Sequence, residues 1–534
     1  MKWESKLTSW PFLVLSIFLA FYLNLWGVPL FDLDEGAFAE ATREMLSSGN
    51  YAATYLDGVP RYDKPILSYW FQALSVSLLG FNEFALRLPS AIAASLWILV
   101  SFRFAREQWD SHTAAITVLI MANTLWITVI GRAATADAWL NLFICLTVFD
   151  IWRVFQIQTA DPNGPAGSYR PTLPRSLLLR IFLWLALGLL TKGPVAVVVP
   201  LISSLLFYLS YGKGKLWLNA VFYLPGWVLM LLVICPWLIM VYRDQGAGFF
   251  EGFLLDHNLN RFNETREGHG GNPAYYLLVL PLVLLPFTGV FLKALVHFKA
   301  LWAEPLTRFM VLWFAVVFAL VSMSQTQLPH YVLYGVTGLM LIFARHRASL
   351  FNSAWLLAFP FIFFILMLAL PEILSLSAAE SGRAYEKTLL AQGELWFDWR
   401  WYTVVSMCLV AVVILSAVPF INNENRLILA GTIQTLFVFT LLIGALASLQ
   451  QTPVKEAAYI ARNMQNKTVV AYGIRMPSFS VYRQQITPHR LPQPGELVFT
   501  RIDRLNDLKE QLNVTELPVH YNKGGILLVE LLNE

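Results

Sequence analysis

Ionic side chains are scarce in this chain. Of its 534 residues only 13% are Asp, Glu, Lys or Arg, where a soluble domain carries about a quarter, and mean hydropathy is +0.57. That composition excludes a water-soluble fold of this size and leaves a polytopic membrane protein. Cysteine is nearly missing as well: the three present, Cys145, Cys235 and Cys408, each lie inside an apolar run. Neither a disulfide framework nor a Cys-type metal site is encoded, and each thiol reads as a small buried hydrophobe. The net charge of +4 gives no ground for a nucleic-acid or acidic partner. There is no internal repeat, and the one Pro/Gly-rich linker, Asp161–Arg175, reads as a plain loop. No small-residue cleavage site follows the first apolar segment, which is therefore expected to be a retained span.

Apolar and aromatic residues fill the space that charge leaves. The 19 Trp, 20 Tyr and 38 Phe suit helices that bury Phe in lipid and set Trp and Tyr at the headgroup level. Runs of roughly 17–25 apolar residues are long enough to cross the hydrocarbon. About thirteen spans are expected on that criterion: Trp10–Leu30, Phe84–Phe104, Thr113–Gly131, Ala134–Phe155, Ser176–Thr191, Val195–Tyr211, Leu216–Tyr242, Pro273–His297, Leu306–Met323, Leu328–Ala344, Phe351–Leu370, Trp401–Phe420 and Arg426–Leu449. Ile66–Gly80 is shorter, with polar flanks, and reads as an interfacial helix. Lys2 and Lys6 put the amino terminus in the cytoplasm, and every second connection is then basic, from Arg103/Arg106 through Lys213/Lys215 to Arg426. The other face receives the loop 31–83, the loop 243–272 and everything after residue 449.

That organisation divides the chain into a membrane domain, 1–449, and a tail, 450–534. In the tail the strand-sized runs "KTVVAYGI", "GELVFTRI" and "GGILLVELL" alternate with amphipathic helical stretches, which predicts a small α/β domain outside the cytoplasm.

Polar residues with no evident structural duty gather at the outer ends of the helices. Asp34 and Glu35 open the first outer loop, and "RYDKPILSYW" closes it with Arg61, Tyr62, Asp63 and Lys64. "GRAATADAWL" adds Arg132 and Asp137, "TKGP" adds Lys192, and "DHNLNRF" adds His257, Asn258 and Arg261. "GHGGNP" contributes His269, and "QTQLPHYVLYG" contributes Gln327, His330 and Tyr331. A charge in the bilayer centre costs about 2.5–3.5 kcal/mol, so such groups face a cavity or one another. Singly, each reads equally as an interfacial anchor or half of an ion pair. Together, bases suited to a phosphate beside carboxylates suited to accepting a proton point to transfer from a lipid phosphate.

In this order, "DEGAFAEATREM", "RYDKPILSYWFQ", "GRAATADAWL", "LTKGPVAVVVP", "HNLNRF…GHGGNPAYYL" and "LPHYVLYG", the chain resembles the polyprenyl-phosphate-sugar-dependent glycosyltransferases of the GT-C superfamily. The likeness is to the bacterial branch that includes the lipid A aminoarabinose transferase and the protein O-mannosyltransferase-like enzymes. The resemblance implies an all-α GT-C bundle in the bacterial inner membrane with surface-lying helices in the first outer loop. It implies an extracytoplasmic active site fed by a polyprenyl-phosphate sugar, with a glycolipid, glycan or protein as acceptor. By the same resemblance Asp34, with Glu35 as second choice, and Asp137 are the catalytic carboxylates. Lys64, Arg261 and Lys192 hold the donor phosphate, helped by Tyr62 and Tyr331. Arg132, His257, Asn258, His269 and His330 are further candidates. Some members hold a divalent metal, for which Asp63 and His257 are the residues here; the plainer reading is that both are hydrogen-bonded into their loops. Gln327 stands where many relatives carry Lys. The competing readings of the loop charges are a lipid-linked-sugar transporter and a docking scaffold. For the stretch Asp34–Met45 they are an amphipathic connector with Ala37, Phe38, Ala41 and Met45 on lipid, or an N-cap carboxylate.

Overall fold

The computed structural model describes residues 7–160, 174–259, 272–464 and 466–532; the linker 161–173 lies outside them. Each of the thirteen apolar stretches carries helix, but they are not thirteen equal spans. Among the described residues seven helices are long and apolar enough to cross a membrane, or nine if two bent pairs each count as one. Others, such as Trp10–Phe21 and Val195–Ser210, are shorter. The span expected over Phe351–Leu370 runs on to Glu380 through an internal Pro371.

Two of the expected spans, Thr113–Gly131 and Pro273–His297, are bent pairs. Ser111–Asn123 and Leu125–Arg132 meet at 71°, and Tyr275–Val283 and Thr288–Val296 at 120°. A break in a membrane helix frees backbone groups that hydrocarbon cannot satisfy, so it survives only where protein supplies partners. Here the breaks satisfy each other: the Leu125 amide donates to the Leu285 carbonyl at 2.8 Å. The bend turns Leu125–Arg132 aside and delivers Arg132, its last residue, to the end of the bundle where Asp32 and Asp137 lie.

In the first outer loop, helix Asp34–Ser48 ends at Gly49, whose φ of +70° is the left-handed cap glycine permits. A two-stranded hairpin, Tyr55–Leu56 with Val59–Pro60, follows. Helix Leu67–Leu79 comes next; at about 20 Å it is too short for a ~30 Å hydrocarbon layer. The first helix is not laid on lipid. Ala37, Phe38, Ala41 and Met45 are buried, as are Glu40 and Glu44. Phe38 stacks on Tyr69 with centroids 4.9 Å apart, and Thr42 donates to Gln72 at 2.8 Å.

The carboxyl-terminal domain covers the far side of that helix. Its four-stranded sheet has the order Val469–Ala471, Leu497–Arg501, Ile526–Glu530, Val519–Lys523. The first pair is parallel and the other two antiparallel. The three runs singled out from the sequence each contain a strand. The fourth, "VHYNK", is an edge strand with mostly exposed side chains, so no buried alternation marks it.

Candidate active site

Two helix ends bring the central charges together. Asp137 is the first residue of Asp137–Gln158 and Lys192 the last of Arg175–Lys192, so each charge complements the dipole of its own helix. Gly193 closes the second helix at φ +91°, with the Phe253 ring where a side chain would stand. The Lys192 ammonium donates to Asp137 at 2.5 Å. Asp137 also accepts from Tyr334 at 2.8 Å and Thr135 at 3.1 Å, and His330 Nε2 lies 3.7 Å away. Both partners are largely buried, and breaking such a pair leaves an uncompensated ion.

Each member of this pair lines a cavity, Lys192 one and Asp137 another. One, of about 440 Å³, is lined by Lys64, Lys192, His257, Tyr331 and Tyr334 at its polar end. Val195, Val198, Leu254, Leu320 and Val321 form its apolar wall. The ammonium of Lys192 sits 5.2 Å from the Tyr331 ring centroid and 5.4 Å from that of Tyr334, within cation–π range. The other cavity, of about 270 Å³, is lined by Asp32, Asp34, Arg132, Asp137 and His330, with Val28, Phe31, Val129, Ile130 and Phe439 among its apolar residues. Arg132 lies over the Phe439 ring at 4.1 Å and donates through Nη2 to the Leu23 carbonyl. Its buried Nη1 has no hydrogen-bond partner among the described residues.

Lys64 is bound to Asp63 at 2.7 Å, and Asp63 also receives Arg61 at 3.1 Å and His257 Nδ1 at 3.2 Å. The Asp63–His257 pair expected as metal ligands is thus engaged with two cations. Among the described residues the one group of three metal-type side chains is elsewhere, at Glu40, Glu44 and Asp57. Asp34 is exposed at the cavity mouth; it makes no hydrogen bond or ion pair with a described residue. Its neighbour behaves otherwise. Glu35 is buried against Arg87 at 2.6 Å and accepts the amides of Phe31 and Ala134 at 2.9 and 2.8 Å. Burial presses its carboxyl upward, but Arg87 and those amides outweigh it and hold it below the ordinary range. A carboxylate with every lone pair engaged is a fastener between helices, not a free base.

Of the remaining sequence candidates, Tyr62 lines neither cavity: its ring packs edge-on to Phe249, 6.2 Å between centroids, and fills the space beside Gly252. Gln327 accepts the Asn272 amide at 3.2 Å. Arg261 and His269, and the side chain of Asn258, lie outside the described residues. Sequence reasoning missed Arg87, Thr135 and Tyr334. Tyr334 follows Tyr331 by three residues, one helical turn, and that spacing was the available signal; Arg87 and Thr135 carried none, being single polar residues inside apolar or small-residue runs.

Residues 63–240 match the family described as dolichyl-phosphate-mannose-protein mannosyltransferase. Over 330 residues the chain is 27% identical to the undecaprenyl phosphate-alpha-4-amino-4-deoxy-L-arabinose arabinosyl transferase of Pseudomonas paraeruginosa, covering 61% of this chain and 57% of that protein. The protein of the same name from Edwardsiella ictaluri is 28% identical over 336 residues, with the same coverage. The matched region therefore spans less than two thirds of these relatives. In fold the likeness is fuller: the crystal structure of ArnT from Cupriavidus metallidurans bound to undecaprenyl phosphate superposes with a TM-score of 0.76 at 18% identity, covering 98% of both chains. By sequence and by fold, this chain is a multi-pass membrane protein similar to the undecaprenyl-phosphate aminoarabinose transferases, with the fold of the ArnT crystal structure.

Proposed function

We propose that this protein is an integral membrane glycosyltransferase. It moves a sugar from undecaprenyl or a related polyprenyl phosphate to an acceptor at the periplasmic face, most simply lipid A or another envelope glycolipid or glycan. The observation that carries the reading is a pair of cavities, one lined by Asp137 and the other by Lys192, whose side chains are bonded to each other. The Lys192 cavity offers cations and a tyrosine hydroxyl above an apolar wall, which suits a phosphate with a prenyl tail. The other offers a carboxylate and an arginine donor that have no bonded partner among the described residues.

In this reading Lys64 and Lys192, with Tyr331 and Arg261, stabilise the departing prenyl phosphate, and Asp34 readies the attacking oxygen of the acceptor. Asp137 holds Lys192 in place. The phosphate leaves as an anion, so fixed positive charge favours the transition state over the ground state. The half-satisfied Arg132 favours an acceptor that carries its own anionic group; for a phosphate acceptor, Asp34 orients the acceptor in place of taking its proton.

The test is incubation of reconstituted protein with radiolabelled undecaprenyl-phosphate sugar and extracted lipid A. Label should move to the acceptor, and Lys64→Ala should abolish the movement while the protein still inserts. Label that crosses the bilayer unconsumed would instead make the protein a transporter.

A further inference from the structure

The Asp34 side chain has no hydrogen-bond or ion-pair partner among the described residues, so the pose of its segment is set by its neighbours. On one side Glu35 is tied to Arg87 of the next span. On the other side Arg87 also donates to the Val28 and Pro29 carbonyls, both at 2.8 Å, and the carboxyl-terminal domain adds further ties. Asp32, two residues before Asp34, accepts the Ser478 amide at 3.0 Å and the Ser478 hydroxyl. The Leu30 amide donates to the Tyr482 hydroxyl at 2.7 Å. At Gly36, two residues after Asp34, a side chain would strike the Ser478 nitrogen at 2.8 Å, so the two backbones touch.

The same domain grips the rest of the outer loop. Ser480 donates to Asp57 at 2.5 Å, with His489 3.3 Å from the other oxygen of the same carboxylate. Tyr482 and Lys455 both reach Glu83, at the start of the following span. The short helix Ser478–Arg483, buried at every position, thus touches the loop before, beside and after the segment that carries Asp34.

We propose that the carboxyl-terminal domain is a working part of the active site, with Ser478 a positioning residue that holds Asp32 and thereby aims Asp34 into the acceptor cavity. A misplacement of about 1 Å at a reacting group costs on the order of 10²-fold in rate, and Ser478 supplies two of the bonds that prevent it. The kinetic part of this inference rests on the transferase reading above; the geometric part does not.

The test uses full-length protein in proteoliposomes as wild type, Ser478→Ala, Ser478→Thr and Tyr482→Phe. Amide exchange over residues 31–38 is expected to speed up in Ser478→Ala and to return toward wild type in Ser478→Thr. Transfer from undecaprenyl-phosphate sugar should lose kcat by about 10²-fold in Ser478→Ala, with undecaprenyl phosphate binding unchanged, because the loss falls on the transition state alone. Tyr482→Phe keeps the ring and loses only the hydroxyl, so it tests the same clamp if Ser478→Ala does not accumulate. Unchanged exchange over 31–38 in both Ser478→Ala and Tyr482→Phe overturns the proposal. So does a fall in transfer that Ser478→Thr does not restore, or one accompanied by lost undecaprenyl phosphate binding. A wild-type protein that transfers nothing defeats the transferase reading, and the exchange measurement still decides whether Ser478 holds the loop.

Discussion

Two neighbouring carboxylates, Asp34 and Glu35, are indistinguishable in one dimension and opposite in three. Glu35 is consumed by Arg87 and two amides, whereas Asp34 stands at a cavity mouth. Sequence reasoning ranked Asp34 first, through the family motif; no propensity or spacing separates the two, because the separating fact is an arginine 52 residues away. Asp137 and Lys192 make a similar point. Each was legible as a costly charge at a helix end, yet their pairing at 2.5 Å was not. Lys192→Met should leave Asp137 buried without its cation, a loss of about 3–5 kcal/mol, seen as poor recovery from membranes. The double variant Lys192→Met/Asp137→Asn should recover in normal yield and remain unable to transfer sugar. Full transfer by the double variant would remove this pair from the mechanism.

At the scale of elements, the broken spans matter most for the site. Gly431, on Asn423–Phe437, lies where both breaks meet, and a side chain there would approach Asn123 at 2.9 Å and Pro286 at 3.0 Å. Gly431→Val should cost about 1–3 kcal/mol through overpacking, measured as a lower melting temperature in detergent. Hydropathy showed that these stretches were apolar and hid their bends, because the bend depends on a hydrogen bond between two distant segments.

The helix of the first outer loop offers a second prediction. Burial between this loop and the carboxyl-terminal domain pushes the Asp32 carboxyl up to about 7 from its ordinary 3.8, against the lowering effect of the Ser478 hydrogen bonds and with Glu35 and Asp57 adding repulsion. A folded value above the unfolded one contributes stability that is complete below the unfolded value and is lost as pH rises through the folded value. The melting temperature should therefore fall as pH is raised from about 4 to about 7 and level off above that, and Asp32→Asn should flatten that dependence. An equal slope in Asp32→Asn would place the titrating group elsewhere.

For the whole molecule, the alternation of basic loops predicts an amino terminus in the cytoplasm and a carboxyl-terminal domain in the periplasm. In a variant lacking the native cysteines, Asn513→Cys should react with an impermeant maleimide in intact spheroplasts, and Lys213→Cys should react only after permeabilisation. Labelling in the reverse pattern would put the site on the cytoplasmic face. Packing of the carboxyl-terminal domain onto the first outer loop through Asp32, Asp57 and Glu83 requires that both lie on one side, whichever side that is.

What the residue order determined alone was the solvent of each segment, since apolar runs and scarce charge are summed along the chain and need no neighbours to be read. That covers the membrane bundle, the outer loops, the strand-bearing tail and the set of chemically capable side chains. Tertiary structure alone decided which of those side chains are spent on one another and which face open space: Glu35 on Arg87, Asp63 on Lys64, Arg61 and His257, and, among the described residues, Arg132 half-used and Asp34 unspent. The physical reason is that a buried charge takes its character from whatever lies within a few ångströms, and in this chain those partners come from segments as far apart as Asp32 and Ser478.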